Sequence, residues 1–521
     1  MLAIEHPHLP ALVDDAAARY ANRPLWESID DGRTVSFSEF RRLTLQCAHA
    51  LRAIGVGPGS HVAVMLPNTP AYPITWMALA RLGAVMAPVN TRSTSRELEH
   101  VLRDSDAAFL VIDESYLAAF EGIERRDALV PPSHVVVHRS GDATDGGSWR
   151  TRVAAAPARD VDSARIDGDT VMSIQYTSGS SGMPKGCVLT QDYWVLLGKV
   201  RSQQGPAPTR ILIDKPLSYM GGMWRFLVCL CVGATACVAR RFSLSELQQR
   251  LVDHRIDFFS ATDAVAKLPD HPGIAKLRVA WISIAGMNKA LHRPLEEKFS
   301  APVRELYGLT ETGSTLYMPA GAGAMSGSGS CGLPAPYREC RIVGEDGREV
   351  RRGEAGELWV RGRSILRGYY GNEEATRAAF AGDWFRTGDL FRQDADGYYY
   401  IQGRIKDTIR RSGENISARE VEDVAAGIPG VLECAAVAVP DELRGQEVKL
   451  CLVLQPGQSS ATVTPEAVIA HCAERLAAFK VPRYVEYFDD FPRTTSGKIA
   501  KQGLVVAQRP LYDRAVNAGR R

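Results

Sequence analysis

The chain has 521 residues, 45% of them hydrophobic and 23% charged. At roughly 150 residues per domain this allows three or four units, and the ordinary globular mixture excludes global disorder. Sixty-two Lys and Arg against 60 Asp and Glu leave a net charge of +2, which gives no electrostatic reason to expect a nucleic-acid partner. No apolar run reaches the ~20 residues of a bilayer span, so no membrane insertion is expected. The opening MLAIEHPHLPALVDD lacks the basic-then-apolar order of a signal peptide. Ten scattered Cys without a CxxC pair fit reduced thiols rather than a disulfide framework. The expectation is a cytoplasmic protein, monomeric or homodimeric.

In chain order, HVAVML (61–66) predicts a buried strand, and TPAYPITWMALARLGA (69–84) predicts the helix after it. AAFLVID (107–113) is another strand, preceded by a helical stretch around Glu97 to Arg103. Residues 128–170 are rich in Pro, Gly, Asp and Ser and read as a surface connection. RILIDKPLS, GATACVAR, DFFSAT and RVAWISIAG predict strands between 210 and 286. Between them SLSELQQRLVDHRI opens with a capping box, Ser243 to Glu246, and predicts a helix. Strand and helix taking turns implies an α/β fold: a large, layered N-terminal domain with a mainly parallel sheet.

Residues 320–332 form a Gly/Ala/Ser stretch, read as a flexible connection. From 337 to 402 short strands and turns (RECRIVGEDGREV, GEAGELWVRG, GYYYIQGR) predict a β-rich subdomain. After Gly403 a smaller α+β unit begins. Its first helix is capped by Ser417 and Glu420, its strands are VLECAAVAVP and EVKLCLVLQPG, and a second helix opens at Thr464 with Pro465 in its first turn. The predicted domains are therefore 1–402 and 403–521.

Tyr176-Thr-Ser-Gly-Ser-Ser-Gly-Met-Pro-Lys-Gly186 follows the apolar run VMSIQ, so it is a loop leaving a strand. Its glycines permit close backbone approach, and its hydroxyls and bare N–H groups can surround phosphate oxygens. Lys185 adds a point charge. The G-K-[S/T] ending of a Walker loop is missing. A Gly/Ser linker would need neither the strand in front nor the Pro-Lys-Gly ending. Gly327, Gly329 and Gly332 spell GxGxxG, but Leu-Pro-Ala-Pro follows where a dinucleotide-binding helix would begin. Glu311, in Tyr307-Gly-Leu-Thr310-Glu311-Thr, sits just past a predicted strand and is expected to be exposed there, where α/β sheets place ligands. Asp389 in Arg-Thr-Gly-Asp, the charged knot Arg404-Ile-Lys406-Asp407, and Lys498 in a basic tail are each unremarkable alone. No His/Cys metal pattern and no HExxH occurs.

Taken together and in order, these five segments resemble the adenylate-forming superfamily of acyl-CoA synthetases, firefly-type luciferases and peptide-synthetase adenylation domains. The likeness runs from Val35-Ser-Phe-Ser-Glu-Phe40 to Lys501. The C-terminal half is similar to carnitine/crotonobetaine-type CoA ligases. This resemblance implies an ATP- and Mg²⁺-dependent ligase in which a carboxylate attacks the α-phosphate, giving acyl-AMP and pyrophosphate. The small domain, mobile about a hinge at Lys406, then rotates, and CoA as co-substrate displaces AMP. By resemblance, Thr177, Ser178, Gly179, Ser180, Ser181, Gly182 and Lys185 hold the β- and γ-phosphates. Tyr307 stacks on adenine, with the backbone of Ala285 and Gly286 along its edge. Thr310 touches the α-phosphate and Glu311 ligates Mg²⁺. Asp389 takes the ribose hydroxyls, Arg404 supports ribose and phosphate, and Lys498 stabilises charge during adenylation. Gly413 lines the pantetheine route.

The chain departs from the family at three places. Tyr219 stands where many CoA ligases carry a gate His; Ala285-Gly286 and Ser412-Gly413 replace Gly-Gly pairs. The acid pocket is expected to include Tyr219, Met223, Trp224 and Trp281, which favours a small or aromatic carboxylic acid, although both Trp read equally as core. An alternative reading delivers the adenylated acid to an amine or carrier protein, or activates nitrite for diazotisation of an arylamine. A third, a catalytically dead nucleotide-binding protein, sits badly with Lys185, Glu311, Asp389, Arg404 and Lys498 all being present.

Overall fold

His61–Met65 and Phe109–Asp113 lie side by side as parallel strands, as their apolar runs predict. They belong to a six-stranded sheet that also takes in 135–138, 85–88, 171–177 and 185–190, parallel except for its last pair. These are coordinates of a computed structural model, which describes residues 5–139, 148–161, 166–177, 184–412, 414–494, 499–506 and 511–517. A second sheet has nine strands. Six neighbours, from Val303–Leu309 through 281–284, 258–260, 210–213 and 235–238 to 24–28, are parallel, and antiparallel strands flank them. One core joins both sheets. The helices Leu9–Tyr20, Phe37–Arg52, Ala71–Leu82, Gln191–Ser202 and Met220–Val232 supply much of it.

The β-rich subdomain is an antiparallel five-stranded sheet over 338–404. The small unit has its own mixed six-stranded sheet, built around Val431–Asp441 and Gly445–Leu454. The break between them is sharp. Tyr399–Arg404 pairs within the subdomain, a 3₁₀ turn covers Ile405–Asp407, and Thr408–Arg411 pairs within the small unit.

Four local expectations change. Residues 128–170 are not only surface connection: Val135–His138 is a strand, and the helix Trp149–Ala155 buries Trp149 in the main core. The helix after Ser243 starts only at Leu247. The Ser243 hydroxyl accepts the Glu246 N–H in the turn before it, and Glu246 pairs forward with Arg250 instead of closing a box. At Ser417 half the box forms: its hydroxyl accepts the Glu420 N–H, while the Glu420 carboxylate takes Lys480. The stretch ending at Gly332 is tied down rather than free. The Cys331 N–H donates to the Tyr399 carbonyl at 2.8 Å, and a Cβ at Gly332 would stand 1.9 Å from the Tyr317 carbonyl oxygen. Thr464 and Pro465 open their helix as read.

Candidate active site

Thr177 and Lys185 face each other across the antiparallel pair Val171–Thr177 and Lys185–Thr190. The two strands pair as neighbours at a sheet edge, with Lys185 at the start of the returning strand. Ser178, Gly179, Ser180, Ser181 and Gly182 lie outside the described residues, as do Gly413 and Lys498. The Lys185 ammonium sits 5.1 Å from the centre of the Tyr369 ring, and the Tyr369 hydroxyl donates to Glu311 at 3.1 Å.

Glu311 occupies the turn between Val303–Leu309 and Gly313–Tyr317. It is half-buried rather than exposed, and burial pushes its pKa up. Two residues that the sequence did not mark hold this turn. Tyr193 donates its hydroxyl to the Thr310 carbonyl at 2.7 Å. Arg338, itself buried, donates twice to the Thr312 carbonyl, at 3.0 and 2.8 Å. Thr310 and Glu311 therefore sit on rigid backbone, which is what preorganised charge stabilisation needs. Gly308 is required where the register shifts: a Cβ there would lie 2.1 Å from the Gly313 carbonyl oxygen.

Tyr307 and Asp389 meet. The Tyr307 hydroxyl donates to Asp389 at 2.6 Å, and the ring packs edge-on against Phe391, 4.8 Å between centres. Burial, then the neighbouring carboxylate, raises the Tyr307 phenol well above its ordinary range. The Arg404 guanidinium pairs with the second Asp389 oxygen at 3.1 Å. One end of this trio is buried and the other, Arg404, reaches solvent. Lys406 lies one turn on, and burial lowers its pKa.

Behind Ala285 and Gly286 stands a second carboxylate. Glu305 is buried and accepts the Gly286 N–H at 2.6 Å; His292, also buried, lies 3.6 Å away. Burial raises the Glu305 pKa to about 7 and lowers that of His292. An acid whose folded pKa exceeds its unfolded value binds more protons when folded. Stability is then lost as pH rises from about 4.5 to 7, by on the order of 3 kcal/mol. Glu305→Gln keeps the acceptor for Gly286 and removes the ionisation. Thermal denaturation from pH 5 to 7 should then lose most of its downward slope; an unchanged slope would show that Glu305 is not its source.

The expected pocket residues divide. Met223 and Trp281 are fully buried in the main core, and Trp281 packs on Phe258 at 4.4 Å. Tyr219 is half-buried at the start of the Met220–Val232 helix, with its hydroxyl accepting from Asn90 Nδ2. Two arginines that the sequence left unmarked, Arg201 and Arg225, lie against the Trp224 ring.

The sequence profile of the AMP-binding enzyme family matches residues 13–370, and that of the AMP-binding enzyme C-terminal domain matches 420–498. This chain belongs to that family. Over 510 residues it is 31% identical to a sulfoacetate–CoA ligase of Cupriavidus necator, covering 95% of this chain and 97% of the relative. It is 29% identical to a fatty acid–[acyl-carrier-protein] ligase of Streptomyces coeruleorubidus, over 96% of this chain and 97% of the other. The crystal structure of an anthranilate CoA ligase in complex with anthranoyl-AMP superposes with a TM-score of 0.85 at 25% identity, covering 96% and 97% of the two chains. The chain is an ATP-dependent, AMP-forming ligase of the acyl-CoA ligase branch, as its motifs imply. No described helix is long and apolar enough to cross a membrane.

Proposed function

We propose that this AMP-forming acid–CoA ligase acts on a small or aromatic acid, with the two half-reactions divided between two arrangements of the units joined at Lys406. The observation that carries the assignment is the convergence of three separately anchored groups. These are the Thr310–Glu311 turn held by Tyr193 and Arg338, Lys185 beside Tyr369, and Asp389 between Tyr307 and Arg404. A carboxylate is a weak nucleophile toward a tetra-anion, so catalysis consists mostly of alignment and charge neutralisation.

In this reading the Thr177–Lys185 hairpin takes the β- and γ-phosphates and Thr310 the α-phosphate. Asp389, paired with Arg404 and oriented by Tyr307, accepts from the ribose hydroxyls. Because the Tyr307 hydroxyl is taken by Asp389, its ring is left to meet adenine, against the backbone of Ala285 and Gly286. Glu311 fits a hard cation: its carboxylate receives one neutral donor, Tyr369, and the described residues contain no cluster of three or more metal-ligating side chains. Mg²⁺ held by one carboxylate and by phosphate oxygens would neutralise the pyrophosphate leaving group. Glu311→Gln should raise the Mg²⁺ concentration for half-maximal pyrophosphate release by about tenfold or more. An unchanged Mg²⁺ titration would remove Glu311 as the ligand.

The acceptor side differs from the family pattern. Tyr219 stands at the gate, and Ser412 adopts a left-handed φ of +51° in the hairpin where a glycine is usual. That conformation costs a non-glycine residue about 1 kcal/mol. These features favour keeping a carrier-protein or amine acceptor as the second reading. Acid-dependent pyrophosphate release, measured with and without CoA and followed by mass spectrometry, decides between them. A thioester product with CoA-stimulated turnover supports the first reading; full turnover to a CoA-free product supports the second.

A further inference from the structure

Arg201 and Arg225 are each only 4% exposed. Their guanidinium carbons lie 5.2 and 4.6 Å from the centre of the Trp224 ring. Neither has a carboxylate partner within ion-pair distance among the described residues. Arg201 donates to Gln204 at 3.4 Å; Arg225 donates to the Gly221 carbonyl and the Ser260 hydroxyl. Both Nε–H groups are buried without any acceptor. Asp214 is the one carboxylate whose charge reaches Arg225, and it also faces Lys215. Arg225 and Lys215 thus share one anion, and Arg201 has none. Burial, then mutual repulsion, pulls Arg201 down to about 9, and burial pulls Arg225 to about 10. Both stay charged at neutral pH. Buried charge without a partner is costly, and Trp224 returns only part of that cost.

Their position ties them to the reacting centre. Tyr193 and Arg201 share the helix Gln191–Ser202. Tyr193 holds the Thr310 carbonyl, and Arg201 Nη2 lies 3.5 Å from where a Cβ on Gly308 would stand. Arg225 reaches Ser260, at the carboxyl end of Phe258–Ser260. Ser260 is in register with Ser283, which lies just before Ala285-Gly286. Both guanidiniums therefore lie along the crest where parallel strands end, which is where such sheets bind ligands.

We propose that Arg201 and Arg225 form a receptor for a second anionic group on the acid, so that the substrate is a short dianion bearing a carboxylate or sulfonate besides the carboxylate that is adenylated. This rests on the acid-ligase reading above. The carboxylate to be activated sits at Thr310, and the far anion lies beside the two arginines, taking the idle Nε–H groups and supplying the missing countercharge. The acid is short because Trp224, Phe258 and Trp281 pack ring against ring beside the arginines.

The test is acid-dependent pyrophosphate release by the wild-type full chain, with acids paired by length: malonate and sulfoacetate against propionate, and succinate against butyrate. The expected result is a kcat/KM for the dianions about 10²-fold above that of their monoanionic partners. Malonate against sulfoacetate separates carboxylate from sulfonate as the second group. In Arg201→Met and Arg225→Met the dianion-to-monoanion ratio should fall toward one, and Arg201→Lys should keep part of it. The ratio is read within one protein, so partial loss of folded enzyme cancels, and the wild-type panel needs no variant. Equal or better use of the monoanions by wild type would overturn the proposal and leave the ligase reading standing. Release with no acid at all would overturn the ligase reading and the proposal with it.

Discussion

Lys498→Ala should lose roughly 10³-fold in acyl-AMP formation, yet keep most of its thioester formation from supplied acyl-AMP. The first step brings a carboxylate against a triphosphate, and negative charge on the bridging and α-phosphate oxygens grows as the bond to pyrophosphate breaks. A lysine aimed at that charge acts in the transition state, where its removal is felt as kcat. In the second step a thiol attacks the acyl carbon of a mixed anhydride and AMP leaves, so no triphosphate has to be approached and no such cation is expected to be needed. Lys498 itself lies outside the described residues, but its surroundings are anchored. Arg493 and Ile499 bridge antiparallel, the Ala500 N–H donates to the Pro492 carbonyl at 2.7 Å, and Arg493 pairs with Glu433 and Asp490. The described residues on either side of Lys498 are thus tied to the small domain. Single-turnover assays on each half-reaction decide the matter. Equal loss in both would mean that Lys498 serves the fold or both conformations, rather than adenylation alone.

How much of this was legible in the sequence depends on what each residue type advertises. The capped helix at Thr464-Pro465 and the strand VMSIQ read correctly because their signals are local. The signals of the proposed site are local too, since Thr177, Lys185, Thr310, Glu311, Asp389 and Arg404 lie in short runs of fixed order. What holds them comes from elsewhere in the chain. Arg338 reaches Thr312 and Tyr369 reaches Glu311 over 26 and 58 residues, distances at which no periodicity operates. Trp149 looked like part of a polar connection because its neighbours are Ser, Gly and Arg, yet its ring fills the main core. Arg225 did leave a trace. It interrupts MGGMWRFLVCLCV, a helix apolar on every side, so any charge in it had to be buried. Arg201 left none, because VRS at a helix end is ordinary surface chemistry.

Lys406→Pro should leave pyrophosphate release measurable while thioester formation falls by about 10²-fold, so that acyl-AMP accumulates on the enzyme. The chain changes sheets across Ile405–Asp407 alone, so any rotation of the small unit is absorbed by a few dihedrals there. Proline fixes φ at 406 and pushes Ile405 toward extended backbone. Little else opposes the movement. In the present arrangement the small unit meets the large one through few bonds. Asn288 Nδ2 donates to the Asp423 carbonyl at 2.8 Å, and Lys267 donates to the carbonyls of Val431 and Leu432 at 2.9 and 3.1 Å. Arg419 lies against Gly286. Each such bond is worth about 1 kcal/mol net, so parting these contacts costs little. Lys406 is exposed, and the cation paired with Asp389 is Arg404, so the Lys406 charge is not expected to be needed beside Asp389. Lys406→Ala, which keeps the dihedrals free, should therefore behave far more like wild type than the proline variant. Quenched-flow measurement of acyl-AMP and thioester in the same sample reads both steps. Normal thioester turnover in Lys406→Pro would mean that the small unit does not pivot at 405–407, and that both half-reactions run in one arrangement.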